Sequence, residues 1–431
     1  MWQTLLVIPR QIDGIDVFGF GWALGAWAVL STGLVAWSWW RYGFAAETRS
    51  QLGAALIIAL AIVFLLPNLM DQRLDGLAIR GYGAMLLVSV LLGIGLTVYR
   101  ARRVGLNPEI ILSLGTWLFI AGIIGARLFY IIEYFPRFEK STPGETLLAM
   151  INLTQGGLVV YGALLAGGAA LIAFVYKNHV PGLALSDLIA PGVVLGVGLG
   201  RLGCFLNGCC YGGLSDLPWA VQFPPESPAF IDQVERGTLF VHGLIFVGSG
   251  HEPPIIERVE PGSPAEMHGL KPGQRVAAIG GIKVHSVEMA QAQLLSTFGE
   301  GSTVAIALAD DPAVKSWTIP AGSPRSRPVH PAQLYSFVDA MLLCLLVLVY
   351  EPFKRRDGEL TALVLTLHPV SRFLLEIIRI DESSVFGTGM SISQNISIAI
   401  FALGVALWIY LFWSRPRPIV WQPRAAMATL K

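Results

Sequence analysis

Residues 200–213 read Gly-Arg-Leu-Gly-Cys-Phe-Leu-Asn-Gly-Cys-Cys-Tyr-Gly-Gly. They close an apolar run in which every residue from Leu188 to Gly200 is uncharged, and Arg201 follows at once. A guanidinium at that depth costs roughly 3 kcal/mol in lipid, so it answers to a partner or a function. The five glycines remove bulk, which lets a head group or another backbone approach closely. The plain alternative is a glycine-rich helix end with a snorkelling arginine. Cys204, Cys209 and Cys210 cluster here, while Cys344 sits in an apolar run. Adjacent Cys209 and Cys210 do not readily bond to each other. Either could pair with Cys204 in an oxidising compartment, and reduced thiols fit equally well. No two cysteines show a paired zinc spacing, so no metal is expected.

The surrounding composition makes the apolar run part of a membrane protein. Of 431 residues, 54% are hydrophobic and 14% charged, and mean hydropathy is +0.61. That is too apolar for a soluble chain of this size and predicts an α-helical polytopic membrane protein. A net charge of +1 gives no reason to expect a nucleic-acid partner. The opening stretch, MWQTLLVIPRQID, lacks a basic segment followed by a cleavable apolar one, so no removable signal peptide is expected. Apolar segments long enough to span fall at about 17–39, 52–70, 81–99, 110–134, 157–176, 184–208, 332–350, 359–378 and 394–413, about nine transmembrane helices. One set of loops carries Arg41, Arg49, Arg100, Arg102, Arg103, Lys177, Lys354, Arg355, Arg356, Arg415, Arg417, Arg424 and Lys431. The alternate set is poorer: Arg10, Arg73, Arg80, Arg137, Lys140 and Arg379. The rich side is expected to be cytoplasmic, with the N-terminus outside and the C-terminus inside.

The expected organisation has four parts. Residues 1–78 hold extra N-terminal spans, 79–212 and 329–431 a membrane core, and 213–328 an extracytoplasmic insertion. In the insertion, short strands at Ile255–Val259, Arg275–Ile279 and Val304–Leu308 are parted by turn signals such as Pro261-Gly262 and Gly280-Gly281. Ser263, with Glu266 three residues on, predicts a capped short helix. Residues of about 240–320 closely resemble a PDZ domain, a small β-rich fold. In that family a Gly-Leu-Gly-Phe-like loop binds a peptide C-terminus. The resemblance implies such a loop at Gly243, Leu244, Ile245 and Phe246, with Ile245 in place of the usual glycine. A purely structural cap is the alternative.

Four further stretches place polar groups near the outer surface. Arg80 and Tyr82 lie where the third span begins. Arg127 and Tyr130 are three apart late in the fourth, hence on one helical face. Gln155 and Tyr161 open the fifth beside Gly156, Gly157 and Gly162, glycines that could serve helix packing alone. Finally His330, Gln333 and Tyr335 precede Arg372 and Glu376, which are four apart on the eighth span. A charged pair inside a span is costly unless it meets other charges or does chemistry. Facing arginines repel unless an anion sits among them, and a phospholipid phosphate suits the planar fork of a guanidinium.

Taken together these stretches resemble the bacterial prolipoprotein diacylglyceryl transferases. The family's arginine signature is similar to Gly200–Gly208, its Ile-Arg-Trp-Tyr-Gly to residues 79–83, its His-Pro-Ser-Gln-Leu-Tyr to residues 330–335, and its Arg-Phe-x-x-Glu to Arg372–Glu376, followed by Arg379 and Asp381. The resemblance covers about 79–208 and 329–413. It implies transfer of a diacylglyceryl group from phosphatidylglycerol to a lipobox cysteine thiol of a prolipoprotein, in the bacterial inner (plasma) membrane. A thioether forms and glycerol phosphate leaves, with no metal or diffusible cofactor. It further implies that Arg201 and Arg372 bind the phosphate, that Glu376 orients Arg372, and that Tyr82 and Tyr335 line the head-group site. Arg80, Arg127, Tyr130, Asn207, His330 and Gln333 complete the expected substrate contacts. The chain departs from the family in places. Many members carry His-Gly-Gly where this chain has Tyr161-Gly162-Ala163, Cys204 replaces an asparagine, and Cys209 and Ser336 stand where glutamates are common. Tyr161 is then the expected acid or base, unless the arginines alone stabilise the thiolate. A site-2-type protease would need His-Glu-x-x-His, which is absent after His251-Glu252. An inactive relative serving as a PDZ-bearing receptor for envelope peptides would have no use for buried Arg372 and Glu376.

Overall fold

The computed structural model describes residues 3–43, 46–70, 75–139, 142–152, 157, 159–225, 227–248, 253–297, 303–311, 313–318, 325–379, 384–385 and 389–414. They form two compact units. One is Met1–Met85 with Leu206–Cys209 and Gln222–Arg327; the other, the membrane unit, is Leu86–Phe205 with Cys210–Val221 and Pro328–Lys431.

In chain order, strand β1 (Thr4–Pro9) and the hairpin of β2 (Gln11–Ile12) and β3 (Ile15–Asp16) come first. Helix α1 (Trp22–Tyr42) follows, then α2 (Ala46–Leu60), which runs on through a π turn and a 3-10 turn ending at Leu69. Pro67 in that last turn has no N–H to continue the α ladder. Strand β4 (Gly76–Arg80) pairs antiparallel with β1, Thr4 opposite Arg80. Next come α3 (Gly81–Arg103), α4 (Pro108–Glu133), α5 (Pro143–Ile151), α6 (Val160–Asn178) and α7 (Gly182–Asn207). The insertion supplies α8 (Pro228–Glu235), β5 (Leu244–Val247), β6 (Ile255–Val259), α9 (Pro264–Met267), β7 (Val276–Ile279), β8 (Ile282–Lys283), α10 (Val287–Leu295), β9 (Thr303–Leu308) and β10 (Lys315–Thr318). Helices α11 (Ala332–Tyr350) and α12 (Glu359–Ile378), the hairpin of β11 (Ser384–Val385) and β12 (Met390–Ser391), and α13 (Ile392–Trp413) end the described chain.

Among the described residues seven helical segments are long and apolar enough to cross a bilayer: Thr48–Leu69, α3, α4, α7, Ala332–Phe353, α12 and α13. The other two expected spans are also helical, as the 21-residue α1 and the 19-residue α6. Small residues let the helices of the membrane unit touch backbone to backbone. A Cβ on Gly125 of α4 would lie 2.4 Å from the Gly162 carbonyl of α6, and one on Gly93 of α3 would lie 2.8 Å from that of Gly192 in α7. The glycine of Tyr161-Gly162 therefore serves packing.

Near the starts of α7 and α12 a polar knot joins the helices. The fully buried Asp187 carboxylate accepts from the Gly358 and Thr361 amides at 2.9 Å each, from the Thr361 hydroxyl at 3.0 Å and from Lys354 Nζ at 3.3 Å. Arg100 pairs with Glu351 at 2.6 Å and donates to the Asp187 carbonyl at 3.0 Å.

In the insertion, β5 pairs with β6, and β10-β9-β7-β8 form a four-stranded sheet. The expected strands appear at β6, β7 and β9, and β9 alternates inward and outward residues as a half-buried strand does. Ser263 caps α9: its oxygen accepts from the Glu266 amide, and the Glu266 carboxylate accepts from the Gly262 amide at 2.6 Å. Ile256, Val276, Ile279, Leu294, Val304 and Ile306 fill the centre.

Candidate functional site

The glycine-rich stretch 200–213 is where α7 stops. Gly208 (φ +79°) ends the helix in the left-handed region, and Cys210 (φ +60°) turns the chain again. Gly212 and Gly213 then tie two other helices together. Gly212 N–H donates to the His330 carbonyl at 2.9 Å and Gly213 N–H to the Ile378 carbonyl at 2.8 Å. A Cβ on Gly212 would stand 2.7 Å from that of His330, so glycine is what allows the strap to lie between the start of α11 and the end of α12.

Those helix ends carry the charged cluster. On α12, Arg372 and Glu376 share a face and form an ion pair. Arg379 Nη1 reaches the same carboxylate oxygen at 3.5 Å, and Ser391 Oγ donates to the other at 3.3 Å. The second guanidinium end of Arg372 donates to Ser393 Oγ at 2.9 Å. Glu376 is only 3% exposed, so a carboxylate out of water holds two guanidiniums in place. Arg201, half-buried near the end of α7, acts electrostatically on both Arg372 and His368. Among the described residues Arg201 has no hydrogen-bond or ion-pair partner. Arg201 and Arg372 are thus cations gathered where one anion more would fit.

The other expected residues divide. Tyr335 OH accepts from Trp219 Nε1 at 2.8 Å and lies 3.5 Å from His330 Nδ1, in the same membrane unit as the arginines. Gln333 is buried beside them in α11. Arg127 is committed elsewhere. Its guanidinium donates to the carbonyls of Met150 (2.7 Å), Gly157 (3.0 Å), Ala149 (2.9 Å) and Asn152 (2.7 Å), with the Tyr130 and Phe138 rings against it. It ties the end of α5 to α4, which the sequence could not announce because carbonyls have no sequence signature. Arg80, Tyr82 and Asn207 belong to the other unit, where Arg80 and Tyr82 are exposed and the Asn207 carbonyl accepts from Gln3 Nε2 at 3.2 Å. The Tyr161 side chain, Gln155, His251, Glu252 and Asp381 lie outside the described residues.

Sequence reading passed over His368, Asp339 and Ser371. Ser371 Oγ lies 2.7 Å from Asp339 Oδ2, joining α12 to α11. The signal was available: His368 precedes Arg372 by one helical turn, and Asp339 is a lone acid in an apolar span.

In the insertion, Gly243 (φ +82°) turns the chain into β5, and a Cβ there would lie 2.3 Å from Ser263 Oγ. Leu244, Ile245 and Phe246 are all buried. Leu244 and Phe246 face the core, where Phe230 and Val234 of α8 also pack. Beside them, burial pushes the His242 imidazole down to about 4, against a smaller opposing effect of a hydrogen bond to the Leu294 backbone.

The sequence profile of the prolipoprotein diacylglyceryl transferase family matches residues 71–410. The phosphatidylglycerol–prolipoprotein diacylglyceryl transferase of Rhodopirellula baltica is 34% identical over 447 residues, covering 96% of this chain and 89% of that protein. The protein of the same name from Corynebacterium efficiens is 25% identical over 349 residues, 80% of this chain and 81% of its own. For that of Trichormus variabilis the figures are 33% over 171 residues, 40% and 59%.

Proposed function

Because the chain belongs to the prolipoprotein diacylglyceryl transferase family, we propose that it transfers the diacylglyceryl group of phosphatidylglycerol to the cysteine thiol of a prolipoprotein. The observation that carries the site assignment is the pair Arg201 and Arg372 beside Glu376. Arg201 and Arg372 hold the lipid phosphate as it becomes the leaving group, a task suited to the planar guanidinium fork. Glu376 fixes Arg372, and Ser393 and Arg379 fix the pair in turn. Tyr335, with His330 and Gln333, lines the head-group site; Arg80, Tyr82 and Asn207, in the other unit, are substrate contacts that the family resemblance implies. Arg127 and Tyr130 hold the backbone that borders it. Tyr161 remains a candidate proton carrier at the start of α6.

The proposed chain crosses the bacterial inner membrane nine times, with α1 and α6 as spans. The N-terminus and the insertion face the extracytoplasmic side, as the lysine and arginine distribution favours. The insertion is a PDZ-like domain, its β-strands, capped α9 and the Gly243 turn supporting the likeness. It binds peptide C-termini at Gly243–Phe246 or serves as a structural cap. The buried Ile245 and the packing of α8 into the same core favour the cap.

Two experiments test this. Purified protein incubated with labelled phosphatidylglycerol and a lipobox peptide is expected to yield a thioether-linked product; no product would refute the transferase reading. In cells with a permeabilised outer envelope, a Lys283→Cys variant is expected to react with a membrane-impermeant maleimide above the wild-type background. Labelling only after inner-membrane lysis would invert the topology.

A further inference from the structure

We propose that His368 takes the proton of the acceptor thiol, an inference that rests on the transferase reading above. The reaction needs a thiolate, because the thiol itself is a poor nucleophile. A cysteine of pKa about 8.5 is only a few per cent ionised at neutral pH, and an imidazole of about 6.5 accepts its proton only where the thiolate is stabilised. Both requirements meet on one face of α12.

His368 stands four residues before Arg372, one turn away on the same face. The charges acting on it are Asp339 from α11, Arg201 from α7 and Arg372 from its own helix. Helix α13, packed on α12, carries no charged side chain. Among the described residues neither ring nitrogen of His368 has a hydrogen-bond partner, so both nitrogens are available to a proton. His330, by contrast, has its Nδ1 on Tyr335 OH. Asp339 is positioned by Ser371, whose Oγ is 2.7 Å from the carboxylate and 3.0 Å from the His368 carbonyl. A carboxylate whose charge acts on an imidazole compensates the cation formed when the proton arrives.

The step balances without another reactant. The thiol S–H proton passes to a ring nitrogen of His368 as the sulfur attacks the glyceryl carbon that bears the phosphate. The C–S bond forms and the C–O bond breaks. Glycerol phosphate leaves with the electron pair, held by Arg201 and Arg372. The imidazolium then returns its proton to that phosphate or to water. His368 thus performs the base role left open by the replacement of the family's histidine at Tyr161.

The test uses full-length enzyme in phosphatidylglycerol-containing nanodiscs with two lipobox peptides, one bearing cysteine and one selenocysteine, whose selenol is ionised at neutral pH. His368→Gln is expected to lower kcat with the cysteine peptide by about 10²- to 10³-fold. KM for phosphatidylglycerol should stay within about twofold, and the acid limb of the pH–rate profile should vanish. The selenocysteine peptide should restore the rate to within about tenfold of wild type, since it needs no base. Imidazole in the buffer should partly rescue His368→Ala, and Asp339→Asn should displace the acid limb. A His368→Gln rate within about threefold of wild type, or an equal loss with both peptides, would overturn the assignment. Wild-type inactivity on both peptides would refute the transferase reading itself and take this inference with it.

Discussion

Asp187 and Arg201 stand on the same helix, about 21 Å apart along its axis at 1.5 Å per residue, in opposite electrostatic situations. Around Asp187 the charges answer one another: the carboxylate takes two backbone amides, a hydroxyl and an ammonium, and Arg100 takes Glu351 and a carbonyl. Around Arg201 the cations converge on Glu376, which is already held by Arg372 and Arg379. The first arrangement is complete without a ligand. The second, in the proposed function, is completed by the lipid phosphate. The same residue types therefore serve architecture at one end of the membrane unit and, in the proposed function, chemistry at the other, and partner inventory separates the two.

The sharpest way to break the comparison is to remove a cation from the open end. Arg372→Ala and Arg201→Ala are each expected to cut transfer by at least about 10³-fold, the upper end of what a single charge-assisted contact to a developing anion supplies. Lysine should recover little, because an ammonium offers no planar fork. Arg201→Ala should leave the unfolding temperature close to wild type, since Arg201 has no hydrogen-bond or ion-pair partner among the described residues to orphan. Near-normal turnover in either alanine variant, measured with labelled phosphatidylglycerol, would remove the phosphate clamp.

At the sealed end the expectation reverses. Asp187→Ala leaves two buried amides and Lys354 without their acceptor, and breaking such a network by one partner costs about 3–5 kcal/mol. The loss should appear as a lower unfolding temperature and poor yield, with the KM for phosphatidylglycerol of the surviving protein unchanged. A variant of full stability with a raised KM would show that the two ends are not separable in this way.

How much of this was legible in the sequence follows the same division. Arg201, Arg372 and Glu376 were readable because charge inside an apolar run is rare and has few explanations. Seven of the expected spans were readable from length and composition, as the described residues show, and Ser263 from its spacing to Glu266. Arg127 looked like Arg201 in the sequence, yet its partners are four backbone carbonyls. Carbonyls are present at every residue, so only the fold tells which ones converge. Asp187 was passed over because it sits at a span edge, where an acid attracts no suspicion. His368 was missed because a resemblance directs attention to matched positions, and a residue that does new work stands outside them.

The smallest expected effect lies in the insertion, where burial is handled without a countercharge. His242 turns the chain ahead of β5 in the left-handed region (φ +52°), and its Nε2 lies 3.1 Å from Thr297 Oγ1. Burial holds its pKa at about 4 in the folded state, against the ordinary histidine value of 6.5. Because the folded value is the lower one, the unfolded chain binds the proton first as pH falls. The stability contributed by the neutral ring is therefore fully present above about pH 6.5 and is lost as pH drops through the window from 6.5 to 4. Linkage gives a loss of about 2 kcal/mol by pH 5 relative to neutral pH. Backbone amide exchange in β5, β6 and α10 of the full-length protein should speed up between pH 7 and 5 beyond the intrinsic pH effect. His242→Gln, which carries no proton to bind, should flatten that dependence. If exchange in wild type and variant changes in parallel with pH, the histidine is not buried neutral. The turn into β5 would then be open enough to admit water, and with it a peptide terminus.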